Sequence, residues 1–253
     1  GGTDVRLSSL GLGTAGLGNL FDNVSDPDAQ GVMDEAWNAG CRYFDTSPFY
    51  GHGQSEIRVG RGLYSRPRAE FSLSTKVGRL FRRPTDPATF QPDGWVGALP
   101  FELGFDYTYS GIMRSVEDSY LRLGMTQIDM LLIHDLDTWF HPDPDTLAVH
   151  RRDLLSSGWK AMEELKQAGI VKAIGAGLND RPTMTWFLDN VDIDFFLLAL
   201  RYSLLDNDIL DLRSSPKLAG YKMFAAVTTR RWLRRLFSFR RFILPSPVSS
   251  PVR

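Results

Sequence analysis

Hydrophobic residues follow two spacings between positions 10 and 200, and the spacings alternate along the chain. Short apolar runs of strand length, such as residues 71–76 and 129–133, are separated by stretches with apolar residues every three or four positions. The clearest of these stretches, residues 109–123, predicts a helix that ends before Gly124. Because strands alternate with helices, the pattern indicates parallel strands in an α/β fold.

Six strands and five helices follow from this reading. The strands are expected at residues 11–14, 42–45, 71–76, 129–133, 171–174 and 193–200, and the helices at 28–39, 56–63, 109–123, 153–168 and 181–188. Residues 223–228 are a candidate seventh strand, and nothing after them has the pattern of an eighth strand with its helix.

Two long segments interrupt the alternation. Prolines and glycines between residues 80 and 108 predict a loop without a continuous element, which carries Trp95, Phe101 and Phe105. Two interpretations stay open for this loop: an aromatic-lined lid over a small-molecule site, or a solvated surface insertion. A second loop is expected at residues 135–150.

Four residues with acid–base chemistry stand at or just after predicted strand ends. They are Asp45, Tyr50, Lys76 and His134. Proton transfer to or from a reacting oxygen requires a donor or acceptor beside that oxygen, and a tyrosine has that group once a neighbouring ammonium lowers its pKa. Each residue also has an ordinary structural interpretation, as a packed aromatic, a turn or cap residue, a surface charge or a satisfied polar group.

The order and flanking motifs of these four residues resemble the aldo-keto reductase superfamily. The resemblance rests on residues 10–14 (Leu-Gly-Leu-Gly-Thr), 74–79 (Ser-Thr-Lys-Val-Gly-Arg), 109–119, 129–135 and 201–206, and it is greatest to bacterial-type aldose 1-dehydrogenases of the D-threo-aldose or L-fucose group. It implies a (β/α)8 TIM barrel, incomplete here at the C-terminal end, with six or seven recognisable strands. The implied activity is oxidation of an aldose at C1 to the lactone, or the reverse carbonyl reduction, with NAD or NADP.

The resemblance also implies roles for individual residues. Tyr50 is the expected acid or base, Lys76 lowers its pKa, Asp45 holds Lys76, and His134 donates a hydrogen bond to the substrate oxygen. Asn179 is expected to bind the nicotinamide carboxamide and Tyr202 to stack on the ring. The full set of expected cofactor contacts is Thr14, Asp45, Gly177, Asn179, Tyr202 and Ser203.

The sequence departs from the superfamily pattern around the cofactor. Gly177-Leu178-Asn179 replaces the usual Ser-Asn pair, and Ala199-Leu200 stands where a glutamine is usual. No metal site is expected, because the four histidines have no ligand spacing with cysteine.

Charge divides the chain into two parts. Residues 1–212 carry 19 basic and 30 acidic side chains, a net charge of −11, whereas residues 213–253 carry ten basic side chains and no acidic one. We therefore predict an incomplete barrel at 1–212 and an atypical basic tail at 213–253. Residues 230–244 have the pattern of a basic amphipathic helix for a membrane surface or a partner; the alternative is an out-of-frame or mis-spliced tail.

Composition limits the remaining function classes. A hydrophobic content of 43% with 23% charged residues is typical of a soluble globular protein, and a single cysteine excludes a disulfide framework. No apolar run reaches the roughly 18 residues of a membrane span. A cytoplasmic location, a small sugar or carbonyl substrate and no specific nucleic-acid partner are expected.

A second function stays open from the sequence alone. The chain is interpreted either as an active enzyme or as a catalytically silent or truncated relative that acts as an interaction module or has no activity. Because the expected phosphate-binding strand and loop have no counterpart in residues 222–253, weak nicotinamide binding and marginal stability are expected.

Overall fold

The computed structural model describes residues 3–92, 94–199 and 222–226 of the 253-residue chain, the last five as backbone. Nine strands lie in these residues: β1 Leu12–Gly13, β2 Tyr43–Asp45, β3 Ser72–Val77, β4 Arg79–Arg82, β5 Glu102–Phe105, β6 Met130–His134, β7 Ala173–Leu178, β8 Phe195–Ala199 and β9 Lys222–Ala226. The helices are α1 Asp26–Asn38, α2 Gln54–Leu63, α3 Tyr109–Leu123, α4 Pro144–Asp153, α5 Trp159–Gln167 and α6 Arg181–Asn190.

Seven of the strands form one parallel sheet in the order β1-β2-β3-β6-β7-β8-β9, curled into a half-barrel. The expected incomplete (β/α)8 barrel is therefore confirmed, including the seventh strand, which covers Lys222–Ala226 in place of 223–228. Its register on β8 runs from Phe195 opposite Lys222 to Ala199 opposite Ala226. Because all seven strands are parallel, their carboxyl ends meet at one edge.

The expectation of a loop without regular structure at residues 80–108 is wrong at both ends. β4 and β5 form an antiparallel hairpin, with Arg79 opposite Phe105 and Arg82 opposite Glu102. Gly78, whose φ is 102°, permits the sharp change of direction between β3 and β4. The prolines lie in the connection between the two strands, where they remove no ladder hydrogen bond.

The expected loop at residues 135–150 is wrong in its second half. Helix α4 begins at Pro144, and the Oδ2 atom of Asp143 accepts a hydrogen bond of 2.9 Å from the backbone N–H of Thr146. Proline is tolerated in the first turn because that N–H has no partner within the helix. A π-helical turn, Leu154–Gly158, then joins α4 to α5, so the predicted helix 153–168 is the second part of a longer one.

The two faces of the sheet bury different side chains. On the outer face, the larger core lies between the strands and the helices and includes Phe44, Leu131 and Phe196 of the sheet. On the inner face, a smaller apolar cluster contains Tyr43, Met130, Leu132, Ala173, Phe195 and Leu197, with Val5 and Leu7 packed against it. Since side chains two residues apart share a face, the next inward position on β2 is Asp45 and on β6 is His134.

At the opposite edge of the sheet, two buried aspartates accept hydrogen bonds from backbone N–H groups near the starts of neighbouring strands. Asp129 Oδ2 accepts from the backbone N–H of Leu73 at 2.9 Å, and Asp194 Oδ2 accepts from that of Ile174 at the same distance. Their charges are balanced by basic side chains, namely Arg68, Lys172 and Lys166. These contacts fix the strand register, because each joins residues distant in sequence. Within the described ranges no helix combines the length and apolarity needed to cross a membrane.

Candidate active site

Three of the four predicted acid–base residues meet at the carboxyl edge of the half-barrel. Asp45 ends β2, Lys76 lies near the end of β3, and His134 ends β6. The registers of the parallel pairs place them side by side, because Asp45 is opposite Ser74, Lys76 opposite Leu132, and His134 opposite Gly177. Tyr50, the fourth, lies in the turn between β2 and α2.

Lys76 is buried and held from two sides. Its Nζ donates to Asp45 Oδ2 at 2.7 Å and to the carbonyl oxygen of Thr46 at 2.9 Å. The other carboxylate oxygen of Asp45 accepts from Ser74 Oγ at 2.6 Å. Burial alone would lower the pKa of Lys76, but the charge of Asp45 and a smaller contribution from Tyr50 reverse this effect and raise it. Lys76 is therefore a fixed cation at neutral pH.

Tyr50 lies against this cation. The Lys76 Nζ is 4.7 Å from the centroid of the Tyr50 ring. Burial raises the pKa of the Tyr50 hydroxyl, and the charge of Lys76 and its hydrogen bond to Tyr50 oppose the rise without cancelling it. Lys76 lowers the pKa of Tyr50 as expected, but burial outweighs this effect, so the net pKa lies above its ordinary value.

His134 lies on the other side of Tyr50, with ring centroids 6.0 Å apart and an angle of 84° between the rings. Burial, and then the positive charges of Lys76 and Arg79, hold the pKa of His134 well below its usual range. The imidazole is consequently neutral at physiological pH. Its Nδ1 lies 3.1 Å from Ser47 Oγ, and its Nε2 lies 3.3 Å from Asp135 Oδ2.

Aromatic side chains enclose the site from above. Trp95, in the connection between β4 and β5, is buried with its ring centroid 5.9 Å from that of Tyr50 and 5.1 Å from that of Phe49. This placement agrees with the lid interpretation for Trp95. Phe101, by contrast, is 41% exposed and packs on Phe81, so it is a surface residue of the hairpin.

The predicted cofactor residues have different surroundings. Thr14 is fully buried, and its Oγ1 donates to the carbonyl oxygen of Asp45 at 2.9 Å and contacts Ser55 Oγ at 2.7 Å, so it supports the β2 end from behind. Asn179 Nδ2 donates to Asp135 Oδ1 at 3.0 Å and to Asp137 Oδ2 at 2.8 Å. Tyr202 and Ser203 lie outside the described residues.

Gly177 lets the side chains of Lys76 and His134 pack closely against β7. A Cβ atom added there would lie 3.3 Å from Lys76 Cε and 3.8 Å from His134 Cδ2, so a larger residue at this position would crowd Lys76. Among the described residues there is no group of three or more side chains arranged to hold a metal ion.

Sequence reasoning missed several polar residues of the site. Ser47 and Ser74 contact His134 and Asp45, and Arg79 donates from Nη2 to Asp135 Oδ2 at 2.6 Å. Arg79 and Asp135 both stand in the quoted motifs: Asp135 directly follows His134 at the end of β6, and Arg79 lies three residues after Lys76. Their positions next to the candidates were the only sequence signal of a role in the site. Their contact could not be predicted, because it joins residues 56 positions apart and local patterns carry no information on such contacts.

Comparison with known proteins gives a consistent result for sequence and fold. A model of the aldo/keto reductase family matches residues 9–218. A pyridoxal 4-dehydrogenase from Microbacterium luteolum is 40% identical over 215 residues, covering 81% of this chain and 62% of that protein. A D-threo-aldose 1-dehydrogenase from a Pseudomonas species is 39% identical over 212 residues, covering 80% of this chain and 59% of that protein.

A solved aldo-keto reductase from Bacillus halodurans, in its holo form, superposes with a TM-score of 0.66 at 26% identity and covers 98% of this chain and 70% of that one. The chain spans about three fifths of the length of the two curated relatives. The family match extends over most of the described half-barrel and all four acid–base residues. This chain belongs to the aldo/keto reductase family.

Proposed function

We propose that the site of Asp45, Tyr50, Lys76 and His134 performs NAD(P)-dependent oxidoreduction, and that the substrate is an aldose oxidised at C1 to the lactone, or a carbonyl compound in the reverse direction. The observation that carries the proposal is the buried Lys76 ammonium, clamped by Asp45 at 2.7 Å and lying 4.7 Å from the Tyr50 ring. A fixed cation beside a partly buried phenol is the arrangement that a proton-transferring tyrosine requires.

In the oxidative direction Tyr50 takes the proton from the reacting hydroxyl group. Its phenolate is stabilised by Lys76. The Lys76 ammonium remains charged because attraction to the Asp45 carboxylate offsets the unfavourable effect of burial. A bound nicotinamide would supply the hydride acceptor. Trp95 packs against the Tyr50 ring, and Phe49 packs against Trp95 in turn.

His134 contributes as a neutral hydrogen-bond donor. A neutral imidazole with a proton on Nε2 orients the substrate oxygen without competing with Tyr50 as a proton source, because the pKa of His134 is well below its usual range. In the reverse direction the same donor polarises the carbonyl while Tyr50 gives its proton. The predicted cofactor contacts remain Thr14, Asp45, Gly177, Asn179, Tyr202 and Ser203. Absorbance assays with each cofactor decide between NAD and NADP.

One relative supports an aldose as the substrate, and another supports a different substrate. The names of the two relatives refer to a D-threo-aldose and to pyridoxal, at nearly equal identity. We choose an aldose because the sequence motifs agree with that group. A small-molecule substrate in the cytoplasm, without a nucleic-acid partner, stays part of this proposal.

A catalytically silent protein stays the second candidate. Binding without turnover, or neither, would be its signature.

Nicotinamide absorbance with NAD and NADP, each with a panel of aldoses and with pyridoxal, tests the proposal. We expect aldose oxidation by the wild-type chain and a loss of about 10²- to 10⁴-fold in Tyr50→Phe, the usual contribution of one acid–base group. Tyr64→Phe is the matched control, because Tyr64 is 83% exposed and distant from the site. Wild-type turnover undiminished in Tyr50→Phe excludes Tyr50 as the base; no turnover with any substrate supports the silent alternative.

A further inference from the structure

Asp135 is the buried carboxylate closest to His134, and its three partners hold it in one orientation. It directly follows β6 with a positive φ of 52°, a backbone conformation that aspartate tolerates better than most side chains. Its Oδ1 accepts from Asn179 Nδ2 at 3.0 Å, and its Oδ2 accepts from Arg79 Nη2 at 2.6 Å. The same Oδ2 lies 3.3 Å from His134 Nε2.

Arg79 is itself locked in place. Its guanidinium carbon lies 4.1 Å from the ring centroid of Phe49, 4.4 Å from that of Phe105 and 4.6 Å from that of Phe140. Only 6% of its side chain is exposed, so its charge is not screened by water. Arg79 therefore favours an ionised carboxylate at Asp135, which is an acceptor only.

The surroundings of the two ring nitrogens then favour one proton position on His134. Because Nε2 lies 3.3 Å from the Asp135 carboxylate, a hydrogen on Nε2 is favoured by charge, and in a neutral ring Nδ1 is then an acceptor. Ser47 fits this requirement, because its Oγ accepts from the backbone N–H of Phe49 at 3.0 Å and keeps its own hydrogen for Nδ1 at 3.1 Å. The reverse tautomer would leave Nε2 and the Asp135 carboxylate as two acceptors in contact.

We propose that Asp135, held by Arg79 and Asn179, is a positioning residue that fixes the Nε2–H tautomer of His134. The inference rests on the proposed function only in that Nε2–H is the group offered to the substrate oxygen. The tautomer itself is a property of the protein without substrate, and it is measurable whether or not the chain turns over an aldose.

The arrangement has a defined sensitivity to pH. Burial raises the pKa of Asp135 to about 6; Arg79 and Asn179 oppose the rise, and the charge of Asp137 adds to it. His134, Tyr50 and Tyr107 also lie within range of this carboxylate and are neutral under these conditions. Below about pH 6 the carboxyl group gains a hydrogen, so it no longer requires a donor at Nε2.

The test is the ¹⁵N spectrum of histidine-labelled protein, in which protonated and unprotonated ring nitrogens have well-separated shifts. His134 is identified among the four histidines by its absence in His134→Gln. At about pH 8, well above the usual histidine pKa, we expect a single tautomer with hydrogen on Nε2, and on acidification through about pH 6 a growing share with hydrogen on Nδ1. Hydrogen on Nδ1 at the higher pH overturns the proposal.

A double variant tests whether Asp135 positions His134 or only stabilises the fold. Arg79→Met with Asp135→Leu removes both charges together, which avoids leaving either one buried alone. We expect a mixture of tautomers and a loss in kcat of about 10- to 100-fold with little change in KM, comparable with removing the partner that orients a metal-binding histidine. Wild-type tautomer and kcat in this double variant would refute the role of Asp135.

Asp135→Asn is the conservative variant. Its amide oxygen can still accept from Arg79 and His134, but it does not titrate, so we expect the wild-type tautomer without the change near pH 6. Asp192→Asn, an exposed position in the loop before β8, is the control. If the double variant does not fold, the titration of the wild-type protein tests the proposal by itself. A tautomer that stays unchanged from about pH 8 to pH 5, across the protonation of Asp135, contradicts the proposal.

Discussion

At the scale of single residues, the site depends on a balance between burial and charge at Lys76 and Tyr50. Burial raises the pKa of Tyr50, and Lys76 is the principal opposing influence. The hydroxyl is therefore protonated at neutral pH and is ready to give a proton in the reductive direction. In the oxidative direction the same proton must first leave, so the two directions differ in their dependence on pH.

We expect the rate of aldose oxidation to rise with pH across the range of about 6 to 9, because the fraction of Tyr50 phenolate increases tenfold per pH unit below its pKa. The rate of carbonyl reduction should be nearly level over the upper part of the same range. Initial rates in both directions, measured with saturating cofactor, give this comparison. A level oxidation profile would contradict a raised Tyr50 pKa in the working enzyme.

Replacing Lys76 by methionine should lower kcat by about 10²- to 10⁴-fold, because the only charge that stabilises the phenolate from β3 is lost. Lys160→Met is the control, since Lys160 is 72% exposed and pairs with Glu164 on α5. The substitution also leaves Asp45 buried without its cation, which should reduce the free energy of unfolding by about 3–5 kcal/mol.

Adding Asp45→Asn to Lys76→Met should restore most of that stability, because neither charge then remains. The double variant should stay inactive. Thermal or denaturant unfolding beside the absorbance assay distinguishes the two effects. If the double variant is as active as the wild type, the charge of Lys76 has no part in catalysis.

At the scale of elements, the stability of each helix depends on how closely it packs against its neighbours. In α2, a Cβ atom on Gly60 would lie 2.0 Å from the carbonyl oxygen of Leu123, so the close approach of α2 and α3 requires glycine. In α1, a Cβ atom on Gly31 would meet nothing within 4 Å. Both glycines are inside helices, which makes them a matched pair.

Gly31→Ala should raise the free energy of unfolding by about 0.5–1 kcal/mol, because alanine restricts the unfolded chain and favours helix. Gly60→Ala should lower it by about 1–3 kcal/mol, because two helices must move apart. Chemical denaturation of both variants under one set of conditions measures the contrast. Equal effects of the two substitutions would show that α2 and α3 do not approach as closely as described.

At the scale of the whole molecule, buried histidines couple stability to pH. Burial lowers the pKa of all four histidines, and that of His141 falls to about 4. His141 is 3% exposed, between the ring of Phe105 at 4.3 Å and that of His150 at 4.6 Å. A histidine with a depressed folded-state pKa contributes stability above its unfolded pKa near 6.5 and loses it as pH falls toward the folded value.

We therefore expect the free energy of unfolding to decrease as pH falls from about 6.5 to 4, with about 1–3 kcal/mol of the decrease due to His141. His141→Gln should reduce the slope in this window and leave the difference between variant and wild type constant above about pH 7.5. Denaturant unfolding at a series of pH values measures both. An identical slope in the variant would exclude His141 as a source of acid sensitivity.

The sequence by itself determined the strand–helix order and the residues at the strand ends. Alternating apolar runs and helical spacing are local properties, so β3, β6 and α3 were predicted close to their observed bounds. Helix α1 begins at Asp26 rather than at residue 28, because the side chain of Ser25 accepts a hydrogen bond from the backbone N–H of Asp28. Helix α4 was predicted as loop, and the cap at Asp143, which contacts the backbone N–H of Thr146, marks its start. The hairpin β4–β5 was missed because prolines dominate its connection, while the two strands are only four residues each.

Tertiary structure alone decided the electrostatics of the site. The net pKa of Tyr50 depends on how much chain covers it, and Trp95 reaches it from 45 residues away in sequence. The contacts of Arg79 with Asp135, and of Asn179 with Asp135, cross 56 and 44 residues. Sequence motifs named the four acid–base candidates because a strand end is a local feature. The neighbours of each candidate follow from how the parallel strands lie side by side, and this is a property of the folded sheet.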